Sequence, residues 1–253
     1  MDVMPKWADA LLIPLISILI AFFISGLVIL AIGEDPINAL NLMIEGTFGR
    51  SEGIGYMLYY ATNFTFTGLA VAVAFHARLF NIGGEGQAIL GGLGVALVCL
   101  AIDWPHWMVA LPAAIIGGAL FGALWAAVPA FLQARRGSHI VITTIMFNFI
   151  AAALLTYMLV EVLKPAGSMD PASSLFPEGT HLPTFRDMFA PEGSRLFGSS
   201  PVNVTFFVAL AACYVVWLLI WRTRLGYEIR AFGHSEPAAE YAGISPTKII
   251  MVA

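Results

Sequence analysis

The sequence predicts an all-α, polytopic transmembrane helical bundle, and three observations carry that prediction. Of its 253 residues, 59% are apolar and 11% are charged, whereas about a quarter of the residues in soluble domains are charged. Six stretches are long and apolar enough to cross a hydrocarbon layer about 30 Å thick, which takes about 20 residues at about 1.5 Å each. The charges collect between those stretches. Positions 10–33, 53–77, 86–102, 104–134, 137–160 and 196–221 hold no Asp, Glu, Lys or Arg.

The first stretch is too long for a removed signal peptide and lacks a small-residue cleavage pattern. Complete spans are placed at about 10–33, 53–77, 86–102, 107–131, 140–162 and 201–221, followed by a cytoplasmic segment at 222–248. A seventh span starts at Ile249 and is represented by IIMVA alone. Residues 1–253 are therefore expected to form the N-terminal portion of one longer transmembrane domain.

Orientation follows from the basic residues, which favour the cytoplasmic side. With the N-terminus inside, Lys6, Arg78, Arg135, Arg136, Arg222, Arg224, Arg230 and Lys248 fall on the cytoplasmic face, against Arg50, Lys164, Arg186 and Arg195 outside. The outer face then carries 34–52, whose INALNLMIEGTF has the spacing of an interfacial amphipathic helix, and 164–201, rich in Pro, Ser and Gly. Trp104, Trp107, Trp217 and Trp221 lie near span ends, where indoles anchor helices at the lipid–water boundary.

Several functions are excluded. The net charge is −4 and no basic stripe could follow a phosphate backbone, so no nucleic-acid partner is expected. Histidines at 76, 106, 139, 181 and 234 show no ligand spacing, and Cys99 and Cys213 sit in apolar runs where they pack, so no metal is expected. There is neither a phosphate-cradling GxxxxGK[ST] loop nor a GxSxG elbow. The chain is therefore not expected to be an enzyme or to carry a cofactor; any ATP chemistry belongs to a partner. Gly118 and Gly122 mark a close helix contact.

The least ordinary stretch is HARLFNIGGEGQ, from His76 to Gln87. Gly83, Gly84 and Gly86 each disfavour helix by about 1 kcal/mol relative to alanine, so the helix should break there. Irregular backbone at membrane depth survives where it is buried in protein or lines a wet cavity. Asn81, Glu85 and Gln87 would supply polar groups, with Arg78 or His76 as the nearest partners for Glu85. An ordinary tight loop with a solvated Glu85 fits the residues equally well. Asn148, in the fifth span, is a second polar intrusion, serving either to bond a neighbouring helix or to line a path. After the sixth span, EPAAEYAG has a proline suited to a first helical turn and a glycine suited to a C-cap, so residues 236–243 read as a short surface helix or a plain connection.

Three blocks in order, LFNIGGEGQ from Leu79, GSHIVITTIMFNFIA from Gly137 and RAFGHSEPAAEYAGI from Arg230, resemble the permease subunits of bacterial ABC importers. The similarity is to the nucleoside and simple-sugar branch, related to ribose and branched-chain amino acid permeases. It implies a substrate pathway beside Asn81, Glu85, Gln87 and Asn148. It also implies an ATPase-coupling segment with Arg230, Gly233, Glu236, Ala238, Ala239, Glu240, Ala242, Gly243 and Ile244. The implied partners are cytoplasmic ATPase subunits that carry the ATP, and a second permease chain, identical or related. A periplasmic or lipid-anchored solute-binding protein, a small polar solute and membrane lipid complete the set. The implied location is a bacterial inner membrane. Ser138-His139 stands where members often have an acidic residue after an Asn, so the second block names no substrate. The alternative function is an ATP-independent secondary transporter or channel, which needs paired intramembrane charges; Glu85 is the one candidate.

Overall fold

The computed structural model describes residues 8–190 and 197–253. Lys6 and Arg195, two of the charges used for orientation, lie outside them. The described residues divide into two compact units, 8–57 with 190 and 197–200, and 58–189 with 201–253.

In the first unit a π-helical turn, Ala8–Leu12, leads into α1, Ile13–Ala31. The apolar side chains of α1 stand open, Leu19 at 59% and Phe23 at 68% exposure. Water would penalise such a helix, whereas hydrocarbon suits it all round. Gly33, with φ 88°, turns the chain, and Asp35 caps α2, Pro36–Phe48, by accepting a 2.9 Å hydrogen bond from the Ile37 N–H. Pro36 has no N–H to lose at the first helical position. The helix expected from INALNLMIEGTF thus forms. The start of α3, Ser51–His76, also belongs to this unit, where the Glu52 carboxylate accepts from the Ser199 backbone N–H at 3.1 Å.

The second unit contains the rest of α3, then α4, Gly84–Ala101; α5, Trp107–Arg136; and α6, Ile140–Tyr157, prolonged by the π-helical turn Met158–Val162. A short helix α7, Phe185–Phe189, precedes α8, Thr205–Arg222, which is followed by α9, Arg224–His234, α10, Glu236–Tyr241, and α11, Pro246–Val252. Among the described residues six helices, α1, α3, α4, α5, α6 and α8, are long and apolar enough to span a membrane, and none forms a strand. The chain is a multi-pass, all-α membrane protein.

Among the boundaries that differ from the sequence reading, three have a local cause. α8 starts at Thr205 rather than 201 because Val202 accepts from the Phe185 N–H at 2.9 Å, and Asn203 caps Thr205 with a 3.0 Å bond. α5 continues past 131 to Arg136 and stops where Gly137 adopts φ 66°. Arg135 and Arg136 then lie in its last turn, where helix-end carbonyls favour positive charge. α11 starts at Pro246, ahead of Ile249, because Ser245 accepts from the Lys248 N–H at 3.4 Å.

α4 and α5 meet through small residues. A Cβ on Gly94 would lie 2.6 Å from the Gly117 carbonyl oxygen, and one on Gly117 would lie 2.5 Å from Val98. The Gly118 position, read from sequence as a packing site, faces the Gly91 carbonyl at 3.4 Å. Such approach replaces the missing hydrophobic driving force between helices in lipid with van der Waals contact. Gly94→Val should therefore lower stability by about 1–3 kcal/mol, the usual cost of overpacking. Gly92→Ala, whose Cβ meets nothing within 4 Å, should not. Thermal unfolding of the purified variants, followed by size exclusion, checks the contrast; equal melting would contradict the packing account.

Candidate functional site

Two polar regions of the second unit stand out, and α3 joins them. The first is the break between α3 and α4. α3 ends with the Arg78 N–H donating to Phe75 at 2.9 Å and the Leu79 N–H reaching back to Ala74 at 3.0 Å. These bonds make a Schellman end, in which the residue held left-handed is usually glycine. Here it is Arg78, at φ 55°.

Asn81 then folds its side chain onto the backbone, Oδ1 accepting from the Gly83 N–H at 2.7 Å. α4 begins at Gly84 with Gly83 as its N-cap, a residue with no side chain to cap the free N–H groups of the first turn. Asn148 of α6 supplies that cap from another helix. Its Oδ1 accepts from the Gly86 N–H at 2.9 Å, and its Nδ2 donates to the Ile82 carbonyl at 3.0 Å.

The glycines therefore divide. A Cβ on Gly83 would come within 2.9 Å of Asn81 Oδ1, and one on Gly86 within 2.9 Å of Asn148 Oδ1 and 3.1 Å of Trp125 Nε1. Gly84 has nothing within 4 Å. The interruption lies at 77–83 rather than 83–86: Gly84 and Gly86 are helical, because the Asn148 cap lets α4 start early. Glycine is tolerated in that first turn for space, not for left-handed backbone.

The structure brings Asn81, Gly83, Gly86, Gln87 and Asn148 together; Gln87 Nε2 lies 3.2 Å from where a Gly83 Cβ would be. Glu85 is exposed in the first turn of α4 and forms no ion pair among the described residues. The partners expected for it are used elsewhere or stand apart: His76 Nδ1 contacts the Ala72 carbonyl at 2.7 Å, and its ring packs edge-on against Trp221. Sequence reasoning missed Trp125. Its indole nitrogen is buried beside Gly86 without a partner among the described residues, and its ring packs against Phe147.

The second region is the segment after α8. Thr223 caps α9, accepting from the Gly226 N–H at 3.0 Å. α9 buries Glu228, Ile229, Phe232 and Gly233. Gly233 is pressed so closely on the end of α3 that a Cβ would fall 2.0 Å from the His76 carbonyl oxygen. The Arg230 guanidinium lies over the Trp221 ring at 4.5 Å.

α10 is capped at both ends, by Ser235 accepting from the Ala238 N–H, and by Gly243 and Ile244 donating to Glu240 and Ala239 at 2.9 Å each. Gly243 supplies the left-handed residue, φ 84°, that this Schellman end requires. Gly233 and Ala239, expected to meet a partner, are instead buried and seat the segment. Glu236, Ala238, Glu240, Ala242 and Gly243 are exposed, and Ile244 is half-buried. Tyr241, absent from the sequence reading, is 96% exposed.

Glu228 was also missed. Its two oxygens bind Lys248 Nζ of α11 at 2.6 Å and Arg224 Nε at 2.9 Å. The Lys248 bond, with the Arg224 bond behind it, holds the carboxyl below the ordinary glutamate range against the opposing effect of burial.

Residues 53–253 match the family described as branched-chain amino acid transport system, permease component. The chain belongs to this permease family. It is 33% identical to a guanosine ABC transporter permease of Bacillus subtilis over 98% of its own length and 68% of that relative. A glucose ABC transporter permease of Haloferax volcanii is 31% identical, covering 92% of this chain and 60% of the relative. A nucleoside ABC transporter permease of Lactococcus lactis is 31% identical, covering 95% and 65%. The chain thus spans 60–68% of the length of these relatives. No solved structure matches significantly. As a member of this family the chain is a transport component rather than an enzyme, in agreement with the resemblance of its three blocks.

The Glu228 pair sets a pH dependence. A carboxyl whose pKa is lower folded than unfolded adds stability above its unfolded value, and that contribution fades as pH falls through the folded one. Amide protection in α9 and α11, corrected for intrinsic exchange, should hold steady from neutral pH down and drop below about pH 4. Glu228→Gln should show the looser state already at neutral pH. Protection that ignores both pH and the substitution would contradict the role.

Proposed function

We propose that this chain is the transmembrane subunit of an ATP-driven importer that moves a nucleoside or simple sugar inward across a bacterial cytoplasmic membrane, with its N-terminus inside. The observation that carries the reading is α10. It is a doubly capped helix that packs on α9 and α11 and buries Ala239 in the core with Ile229 and Phe232, while Glu236, Ala238, Glu240 and Tyr241 stay open. A short ridge of this kind fits a groove on a partner, and the partner assigned to it is a cytoplasmic ATPase subunit, which holds the ATP.

Asn81, Glu85 and Gln87 are assigned to the pathway. They offer amide and carboxylate groups suited to a hydroxyl-rich solute, and Asn148 holds the backbone that presents them. A second permease chain completes the path. A periplasmic or lipid-anchored binding protein delivers the solute. The chain itself breaks no bond; it exchanges two conformations that bind their partners differently, and ATP binding and release on the ATPase shift the balance. The solute class follows the relatives named for guanosine, nucleosides and glucose.

Glu240→Arg, at an exposed position outside the buried contacts, should leave membrane insertion intact and reduce copurification with the cognate ATPase by at least about tenfold, as expected when an unpaired charge enters a docking groove. Undiminished copurification would remove α10 from the ATPase interface.

A further inference from the structure

A cavity of about 630 Å³ opens between the end of α3, the α5–α6 turn and the α9–α10 junction. The pathway does not use it, the docking ridge shares only Glu236 with it, and its size suits a small-molecule ligand. Its lining includes Arg78, Gln133, Ser138, His139, His234 and Glu236. Two of these carry polar atoms that are fully buried and have no hydrogen-bond partner among the described residues, Gln133 Oε1 and Ser138 Oγ. Buried polar atoms are almost always partnered, since leaving one bare costs about 1–3 kcal/mol. Arg78, His139 and His234 are exposed, so they stand on the open side, and Arg78 makes no ion pair among the described residues.

The cavity therefore has two chemistries. Its inner end offers an amide oxygen that needs a donor and a hydroxyl that both donates and accepts; its mouth offers a guanidinium and two imidazoles, each with an N–H donor in any protonation state. Glu236 is also at the lining, one carboxylate set against a guanidinium and two imidazoles that supply the N–H donors. The backbone adds a further sign of a built site, since Arg78 is held at φ 55°, a conformation costly for a side-chain-bearing residue.

We propose that this cavity binds a phosphate ester of a polyhydroxyl compound. Its hydroxyls bond Gln133 and Ser138, and its phosphate oxygens accept from Arg78, His139 and His234. The headgroup of an anionic phospholipid and a soluble polyol phosphate share this chemistry; basic pockets between spanning helices do take lipid headgroups.

The test uses purified permease in detergent and in nanodiscs. Glycerol 3-phosphate, with glycerol and inorganic phosphate as controls, is scored by thermal stabilisation; retention of phosphatidylglycerol over phosphatidylcholine is scored by native mass spectrometry. Stabilisation by glycerol 3-phosphate above either control assigns a soluble ligand, selective phosphatidylglycerol retention assigns a lipid, and both together assign the shared headgroup chemistry. Gln133→Leu or Ser138→Ala should weaken the response about tenfold, the effect of losing one buried hydrogen bond. Arg78→Gln should weaken it at least as much. The inner-end variants leave the end of α3 untouched, so they decide the matter even where Arg78→Gln fails to fold. A response to neither probe, or one unchanged in Gln133→Leu and Ser138→Ala, overturns the proposal. Transport and ATPase copurification do not enter the readout, so the importer assignment stands or falls separately.

Discussion

The architecture of the site depends on one side-chain amide. Glycine at the head of α4 permits close packing but cannot cap the helix, so the N–H of buried Gly86 would be left bare and the carbonyl of Ile82 would lose its side-chain partner. Asn148, from α6, answers both with one donor and one acceptor. An unmet backbone group costs about 1–3 kcal/mol in a protein interior and more where water is excluded. The clamp therefore permits a non-helical stretch between two spanning helices.

The same stretch ties the two polar regions together. The carbonyl of His76 bears on Gly233 of α9, Ala77 is buried with Ile229, Phe232 and Ala239, and the chain then turns at Arg78 toward the Asn148 clamp. A few residues thus separate the seat of α9 and α10 from the Asn148 clamp. On the other flank Glu228 binds α9 to α11 through Lys248. In the proposed cycle, force on α10 passes through backbone contacts and a buried core, without depending on mobile loops.

Most of the fold was legible because lipid imposes a simple rule: long uncharged runs must span. Among the described residues six of them form helices of spanning length, close to where hydropathy places them. The misplaced ends have local causes. Val202 and Asn203 are tied to the 183–185 segment before α8 can start, and Gly137 alone stops α5. The break was visible as a cluster of glycines, yet its position was not, since the cap that decides it lies 62 residues away in sequence. Glu228 read as one more charge in a polar segment. The signal that could have found it is the Arg224–Glu228 spacing of four on the amphipathic face of α9. Gly233 and Ala239 looked like parts of a docking motif because small residues serve both tight packing and flat surfaces; only their burial, of Gly233 against α3 and of Ala239 in the core with Ile229 and Phe232, separates the two uses.

The central claim is that the Asn148 clamp couples the docking segment to the path. Its most direct test compares solute uptake with ATP hydrolysis for Asn148→Leu in proteoliposomes holding permease, ATPase and binding protein. The account predicts intact assembly and continued hydrolysis, with solute moved per ATP reduced at least about tenfold, the scale of about 1.4 kcal/mol or more lost at the clamp. An uptake-to-hydrolysis ratio equal to that of the wild type would contradict it.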